Sequence, residues 1–194
     1  MAQFRTCPDT GLYFHKSAES LIKANAVAAA VALLVAGILA LLVVLTRWQA
    51  VHLLPADQFY MALTAHGIDA LIFWIIFSEM AVLYVASSTL LRCRLATPAW
   101  GWVQFLLMLI GAVMTNVAIF QGSSSVMMTS YVPMQAAPHF YLGLILFAVG
   151  ALIGCFIFFG TLVVAKQEKT YDGSIPLVTF GAVTAAIIAV FTIR

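Results

Sequence analysis

The sequence predicts an all-α, polytopic membrane protein with five transmembrane helices. Hydrophobic residues make up 64% of the 194 positions and charged residues only 8%, whereas about 25% of the residues in a soluble domain are charged. Five long stretches are almost free of charge, and about 20 apolar residues are enough for a helix to cross the hydrocarbon core. These stretches leave almost nothing of this sequence for a soluble domain.

Each predicted span is defined by its composition and its flanks. The spans cover residues 24–46, 58–91, 99–120, 137–165 and 175–193. The first is rich in Ala, Val and Leu and lies between Lys23 and Arg47. The second is longer than a minimal crossing, so we expect it to tilt or to protrude from the bilayer. The third opens with Trp100 and Trp102, as an interfacial aromatic belt would.

The distribution of basic residues predicts that the N-terminus is inside. In that orientation seven Lys and Arg residues lie on the cytoplasmic side and two lie outside, in agreement with the positive-inside rule. The inner set is Arg5, Lys16, Lys23, Arg92, Arg94, Lys166 and Lys169, and the outer set is Arg47 and Arg194. Residues 1–23 are therefore predicted to form a cytoplasmic N-terminal segment, and residues 24–194 a membrane domain. No signal-peptide cleavage site stands out after the first span, so we expect a permanent helix there.

Charge and cysteine content argue against a nucleic-acid partner and against a metal site of the CxxC kind. The net charge is only +2 and the basic residues are scattered, so we expect no nucleic-acid partner. The three cysteines, Cys7, Cys93 and Cys155, are far apart and form no CxxC pair. We interpret them as free thiols.

His66 is the residue that most strongly indicates a function, because it lies inside the second span, in "FYMALTAHGIDALIFWIIFSEM". If that helix enters from the outer face near Gln58, His66 lies roughly 12 Å further in, where an unpaired imidazole is costly. Gly67 removes a side chain beside the imidazole, and Phe73 shares the same face of an ideal helix. A neutral imidazole, a small residue and an aromatic wall suit a heme, so His66 is a candidate iron ligand.

A structural role for His66 is the alternative, and the residues alone leave both interpretations open. His66 could hydrogen-bond to Asp69, three residues later, and tie helices together. Glu79 lies about 220° around an ideal helix from His66 and so points away from a heme on the histidine's face. Because buried acids often relay protons in membranes, Glu79 and Asp69 are candidates for a proton path, beside the alternative of hydrogen bonds between helices.

Three stretches taken together resemble subunit I of the heme-copper oxidases. "MALTAHG" resembles the family's second transmembrane helix, in which a histidine in a Thr-x-His-Gly context is an axial ligand of the low-spin heme. "TSYVPMQAAPHFYLG" is similar to the outer loop and the start of the fourth helix, with Val132 where the family often has Pro. "GSIPLVTFGAV" is similar to the opening of the fifth helix. The spacings are closest to the B-type branch, and the resemblance covers about Ser17 to Arg194.

The resemblance implies roles for individual residues and cofactors. It makes His66 an axial ligand of a low-spin heme of unknown type, with Gly67, Phe73 and the outer-loop residue Tyr131 at the cofactor. A full subunit I has about twelve helices, and this sequence resembles the first part of it. The second low-spin ligand, the high-spin heme and the copper are therefore expected in a partner chain, and no catalytic residue is expected in this one.

The implied function is electron transfer in a respiratory terminal oxidase that reduces oxygen to water and couples this to proton translocation. The chain would be the N-terminal part of a split subunit I, or a fragment, in a prokaryotic plasma membrane. Its partners would be the remaining helices of subunit I, copper-carrying or other oxidase subunits, and an electron donor. That donor would be a cytochrome c, another small redox protein or quinol.

Two other classes of protein stay open at the level of sequence. One is a non-catalytic accessory membrane subunit that binds no cofactor. The other is a small heme-binding membrane anchor, with the heme inside this chain or across a homodimer. A heme held between His66 and His139 is not expected, because these residues differ in predicted depth by roughly 9 Å.

Overall fold

The computed structural model describes residues 4–192, which form a short hairpin followed by five helices. The antiparallel strands are β1 (Phe4–Thr6) and β2 (Tyr13–His15). The helices are α1 (Lys16–Arg47), α2 (Ala56–Thr89), α3 (Pro98–Phe120), α4 (Pro138–Gln167) and α5 (Leu177–Thr192). The predicted all-α class is confirmed. Residues 1–3 of the predicted N-terminal segment and residues 193 and 194 of the predicted membrane domain lie outside the described residues.

The helices α1 to α4 are each long and apolar enough to cross a membrane. Helix α5 is also apolar but has 16 described residues, fewer than the approximately 20 of a full crossing. The five predicted spans thus correspond, within residues 4–192, to four full-length helices and one shorter apolar helix.

Helix α1 begins at Lys16, before the apolar run that marks the predicted first span at residue 24. The intervening residues mix charged side chains with the buried Ala18 and Leu21. Glu19 forms ion pairs with Lys23, four residues on, and with Arg5 of β1, each with an N···O separation of 2.6 Å. The pair with Lys23, at a spacing of four residues, supports the first turns of the helix. Hydropathy therefore detects the membrane-embedded part of α1 and not its first residue.

Helix α2 contains two π-helical turns, Asp69–Phe73 and Val85–Thr89. A π turn takes an extra residue into the helix and rotates the residues after it by about 100° relative to an uninterrupted α-helix. The angular positions around α2 of residues after Asp69 therefore differ from those counted on an ideal helix from His66. The actual backbone supports neither the expected shared face of Phe73 nor the expected 220° offset of Glu79.

The chain divides into two compact units. The hairpin unit contains the described residues up to Ala26, residues 78–107 and the described residues from Ala148 onward. The histidine unit contains residues 27–77 and 108–147. His66, Asp69 and the loop between α3 and α4 belong to the histidine unit, whereas Glu79 belongs to the hairpin unit.

The hairpin unit is held together by an apolar cluster and a buried polar chain. Leu21, Tyr84 and Ile157 belong to the cluster and join α1, α2 and α4. The Tyr84 hydroxyl donates a hydrogen bond to Gln104 Oε1 (2.8 Å), and Gln104 Nε2 donates to Asn25 Oδ1 (3.4 Å). Side-chain hydrogen bonds between helices hold membrane bundles together where water is absent.

The histidine unit packs through aromatic rings and through two facing glycines. Phe73 and Phe77 of α2 both pack against Phe147 of α4, with ring centroids 4.7 Å and 5.4 Å apart. A Cβ atom added at Gly111 of α3 would lie 2.5 Å from the carbonyl oxygen of Gly143 in α4. Glycine at this contact lets the two backbones approach closely, as is common between membrane helices.

Candidate functional site

The His66 imidazole makes one hydrogen bond, to the backbone of α1. Nδ1 lies 2.9 Å from the carbonyl oxygen of Ala36. Because a carbonyl only accepts, Nδ1 carries the proton and Nε2 keeps its lone pair. No residue of the described chain hydrogen-bonds to Nε2. Metal-bound histidines generally have this arrangement, in which one ring nitrogen is fixed by a backbone acceptor and the other is available to the metal.

Small buried residues bring the two helices within reach of this hydrogen bond. Ala36 is 1% exposed, and Ala65, which precedes His66, is fully buried. With only methyl groups at these positions, the backbones of α1 and α2 can come close together. Sequence reasoning missed Ala36 because its contribution is a main-chain oxygen. The only available signal was the small-residue content of the first span.

The loop between α3 and α4, predicted to lie on the outer face and called the outer loop below, covers the side of α2 next to His66. A Cβ added at Gly67 would lie 2.9 Å from Met128 Cβ. One residue earlier, the Met127 amide donates to Thr64 Oγ1 (2.9 Å), whose hydroxyl donates to the Tyr60 carbonyl (2.7 Å). In the described chain, the space left by Gly67 is therefore used by a loop residue.

The aromatic residues predicted at the cofactor have different surroundings. Phe73 is buried in the aromatic cluster with Phe147. Tyr131 lies in the outer loop and is 71% exposed. The Tyr131 carbonyl accepts a hydrogen bond from the Met134 amide. Their assignment to a cofactor stays a prediction.

Asp69 bonds to α3 and not to His66. The carboxylate is 2% exposed, and its Oδ1 accepts a hydrogen bond from Asn116 Nδ2 (3.0 Å). Asn116 Nδ2 also donates to the Ala112 carbonyl (3.2 Å). Asp69 Oδ2 and Asn116 Oδ1 are buried without a partner among residues 4–192. The alternative in which Asp69 is the hydrogen-bond partner of His66 is thus not the arrangement of this structure.

Glu79 is half-buried in α2 and has neither an ion pair nor a hydrogen bond with any described residue. Its neighbours Met80 and Tyr84 are buried inside the hairpin unit, and Val82 is 51% exposed. Glu79 therefore lies at the edge of the packed face of α2.

The other three histidines occupy different settings. His15 is buried, and its Nδ1 lies 2.6 Å from Ser17 Oγ at the start of α1. His52 is exposed in the loop between α1 and α2. His139 lies in the first turn of α4, with Nε2 buried and unpaired in the described chain. Residues 4–192 contain no cluster of three or more His, Cys, Asp or Glu side chains that would hold a metal ion by themselves.

A family profile and a solved structure match this chain. The profile described as "Cytochrome C and Quinol oxidase polypeptide I" matches residues 20–193. A chain of a heme-copper terminal oxidase dimer, solved by cryo-electron microscopy, superimposes with a TM-score of 0.77 at 22% sequence identity. The match covers 89% of this chain but only 30% of that chain. At this identity the likeness shows the fold alone.

A search of curated proteins finds no significant match. The profile nevertheless covers most of the sequence and includes both α2 and the outer loop. It also agrees with the all-α membrane architecture described above. The chain belongs to the cytochrome c and quinol oxidase polypeptide I family.

Proposed function

We propose that this chain is the low-spin-heme-binding N-terminal part of subunit I of a respiratory terminal oxidase. A partner polypeptide with the remaining helices would complete the subunit, provide the opposing heme ligand, and carry the high-spin heme and copper. Electrons from a cytochrome c, a small redox protein or quinol would pass through the His66 heme toward the site where oxygen is reduced to water. We place the complex in a prokaryotic plasma membrane.

The observation that carries this proposal is the hydrogen bond from His66 Nδ1 to the Ala36 carbonyl. It fixes the tautomer, orients the ring and leaves Nε2 free, so the residues present fit an axial heme ligand. A bound heme would supply one-electron redox chemistry. The Ala36 carbonyl would increase the basicity of the imidazole through Nδ1, and this effect lowers the potential of a bound iron.

The outer loop contributes by limiting access of water to this part of α2. Met128 packs against Gly67, and the loop is pinned by the Met127–Thr64 hydrogen bond. An apolar, water-poor shell is one of the means by which a protein sets a heme potential. We assign the loop this covering role and keep Tyr131, at its exposed edge, as a candidate contact for the heme propionates.

Proton movement through this chain is a separate part of the proposal. Asp69 and Glu79 are acids within α2, and such residues commonly serve proton transfer. Asp69 has one oxygen bonded to Asn116 and one without a partner in the described chain, so it can exchange a proton without losing that bond. We rank Asp69 ahead of Glu79 for this reason.

The proposed completing helices are supported by ligand count. The match covers 30% of the oxidase chain, and residues 4–192 contain no group of three or more His, Cys, Asp or Glu side chains that could hold a metal ion. A low-spin heme needs two axial ligands, and the chain offers His66 for one of them. The activity of the whole enzyme therefore depends on the completing chain.

The test is a reduced-minus-oxidised visible spectrum of the complex purified from membranes, with native protein compared with His66→Ala. We expect the low-spin heme band to be lost while the complex stays assembled. His52→Ala, which changes an exposed loop histidine, is the matched control and should keep the band.

The other outcomes would contradict the ligand assignment or favour another class of protein. An unchanged low-spin band in His66→Ala would contradict the ligand assignment. A purified complex without any heme would favour an accessory subunit. A heme retained by this chain without a large partner would favour a small heme-binding anchor.

A further inference from the structure

We propose that the Glu79 face of α2 is an interface, covered by a transmembrane helix of the completing chain that presents a hydrogen-bond-donating side chain to Glu79. This inference rests on the proposed function, because it identifies where the completing chain packs. It concerns the hairpin unit, whereas the proposed heme ligand lies in the histidine unit.

Glu79 lies in a predominantly apolar stretch of α2, Trp74–Tyr84. Glu79 lies ten residues before the end of α2 at Thr89, which corresponds to about 15 Å along the helix. The side chain of a glutamate is much shorter than this distance, so its carboxyl group does not extend to the end of the helix. A carboxyl group in apolar surroundings strongly favours a hydrogen-bonding partner.

The described residues do not satisfy it. Two acids of the hairpin unit form ion pairs, Glu19 with Arg5 and Glu168 with Arg94, and both lie near the ends of helices. Glu79 forms neither an ion pair nor a hydrogen bond with any residue between 4 and 192.

The neighbouring side chains show on which side the partner must lie. Met80, Leu83 and Tyr84 are buried against the rest of the hairpin unit. Ser78, Glu79 and Val85 are half-buried, and Val82 between them is 51% exposed. Residues at these spacings share one side of a helix, so Glu79 borders a strip that the rest of this chain leaves open.

A protein helix is the occupant that fits both observations. Lipid tails offer no hydrogen-bond donor, and acids inside membranes almost always face protein or water. The matched oxidase chain is more than three times as long as the part that this chain covers, since the match includes 30% of it. The completing chain proposed above, with the remaining helices of subunit I, would supply the transmembrane helix that covers the strip.

The first experiment places a photoreactive amino acid at Val82 in the complex purified from native membranes, with Glu79 unchanged. We expect a crosslink to the polypeptide that carries the remaining subunit I helices. Crosslinks to lipid alone, or to a second copy of this chain, would overturn the inference. The low-spin heme spectrum recorded on the same sample reports separately on the proposed function.

The second experiment compares Glu79→Leu with Glu79→Gln in the full complex. A lipid-facing glutamate would make Leu neutral or favourable, because a polar group leaves hydrocarbon. At an interface, Leu leaves the partner's donor unpaired, so retention of the completing chain after dilution in detergent should fall roughly tenfold. Gln keeps the hydrogen-bonding capacity and should retain that chain. Equal retention in Glu79→Leu and native complexes would contradict the inference, whatever the heme spectrum shows.

Discussion

Asn116 Nδ2 of α3 donates a hydrogen bond to Asp69 Oδ1 of α2 across 3.0 Å. Asp69 Oδ2 and Asn116 Oδ1 have no partner in the described chain. This pair ties two helices together at the π turn that begins shortly after His66. A carboxyl group buried in a membrane depends strongly on its few partners, because water cannot replace them.

We therefore expect Asn116→Leu to destabilise the protein by about 1–3 kcal/mol, since it leaves Asp69 without its only described hydrogen bond. Asp69→Asn keeps a group that accepts from Asn116 and should cost much less. Thermal unfolding in detergent measures both effects. Equal stability of Asn116→Leu and the native chain would show that Asp69 is satisfied by another group.

The glycine contact between α3 and α4 should not tolerate a methyl group. A Cβ at Gly143 would lie 2.8 Å from the Gly111 carbonyl oxygen and would also clash with Thr115 Oγ1. We expect Gly143→Ala to cost about 1–3 kcal/mol through overpacking. Gly181→Ala in α5 is the matched control, because nothing lies within 4 Å of its added Cβ. That change should be neutral or stabilise the helix by up to about 1 kcal/mol.

The hydroxyl of Thr64 anchors the outer loop by accepting from the Met127 amide. Thr64→Val keeps the shape of the side chain and removes the acceptor, at a net cost of about 1 kcal/mol. Hydrogen exchange at the Met127 amide should then accelerate about fivefold, while exchange inside α4 stays unchanged. Thr184→Val changes an exposed threonine of α5 and should leave the loop unaffected. Unchanged exchange at Met127 in Thr64→Val would contradict the anchoring role.

The N-terminal hairpin should loosen at acidic pH. Burial lowers the pKa of His15, and the charge of Arg94 lowers it further, against an opposing effect of Glu168. The folded state thus favours neutral imidazole, and the unfolded state binds more protons below about pH 6.5. The contribution of neutral His15 to the stability of the folded hairpin is present above that pH and is lost as the pH falls. Protease cleavage of the hairpin at pH 5.5 should exceed that at pH 7.5, and His15→Gln should remove this difference.

Hydropathy and the positions of Trp and charged residues were sufficient to predict the membrane class, and the helices follow the predicted apolar runs closely. The start of α1 at Lys16 was not predicted from hydropathy, because charged residues interrupt its first turns, where Glu19 forms ion pairs. The π turns of α2 also leave no mark in composition. They change which residues share a face with His66, so the spacing on an ideal helix does not give the positions of Phe73 and Glu79 around α2.

The candidate site was predictable only in its side-chain part. A histidine at depth in a span marked His66, whereas its hydrogen-bond acceptor is the main chain of Ala36, thirty residues away. The partner of Asp69 also comes from another helix. Contacts between distant segments depend on tertiary packing, which cannot be deduced from one sequence. This applies above all to contacts made by backbone atoms.

The backbone hydrogen bond at His66 gives a prediction that leaves the histidine itself intact. Ala36→Leu adds three carbons at a position that is 1% exposed, so α1 must move away from α2 and Nδ1 must lose its acceptor. We expect a weaker or shifted low-spin heme band, and a higher reduction potential in the heme that remains, because the imidazole becomes less basic. Ile38→Leu, at a site on α1 that is 54% exposed, should change neither. If Ala36→Leu unfolds the chain, Ala36→Ser offers a smaller increase in volume, and an unchanged spectrum and potential in both variants would mean that the Ala36 carbonyl does not set the properties of His66.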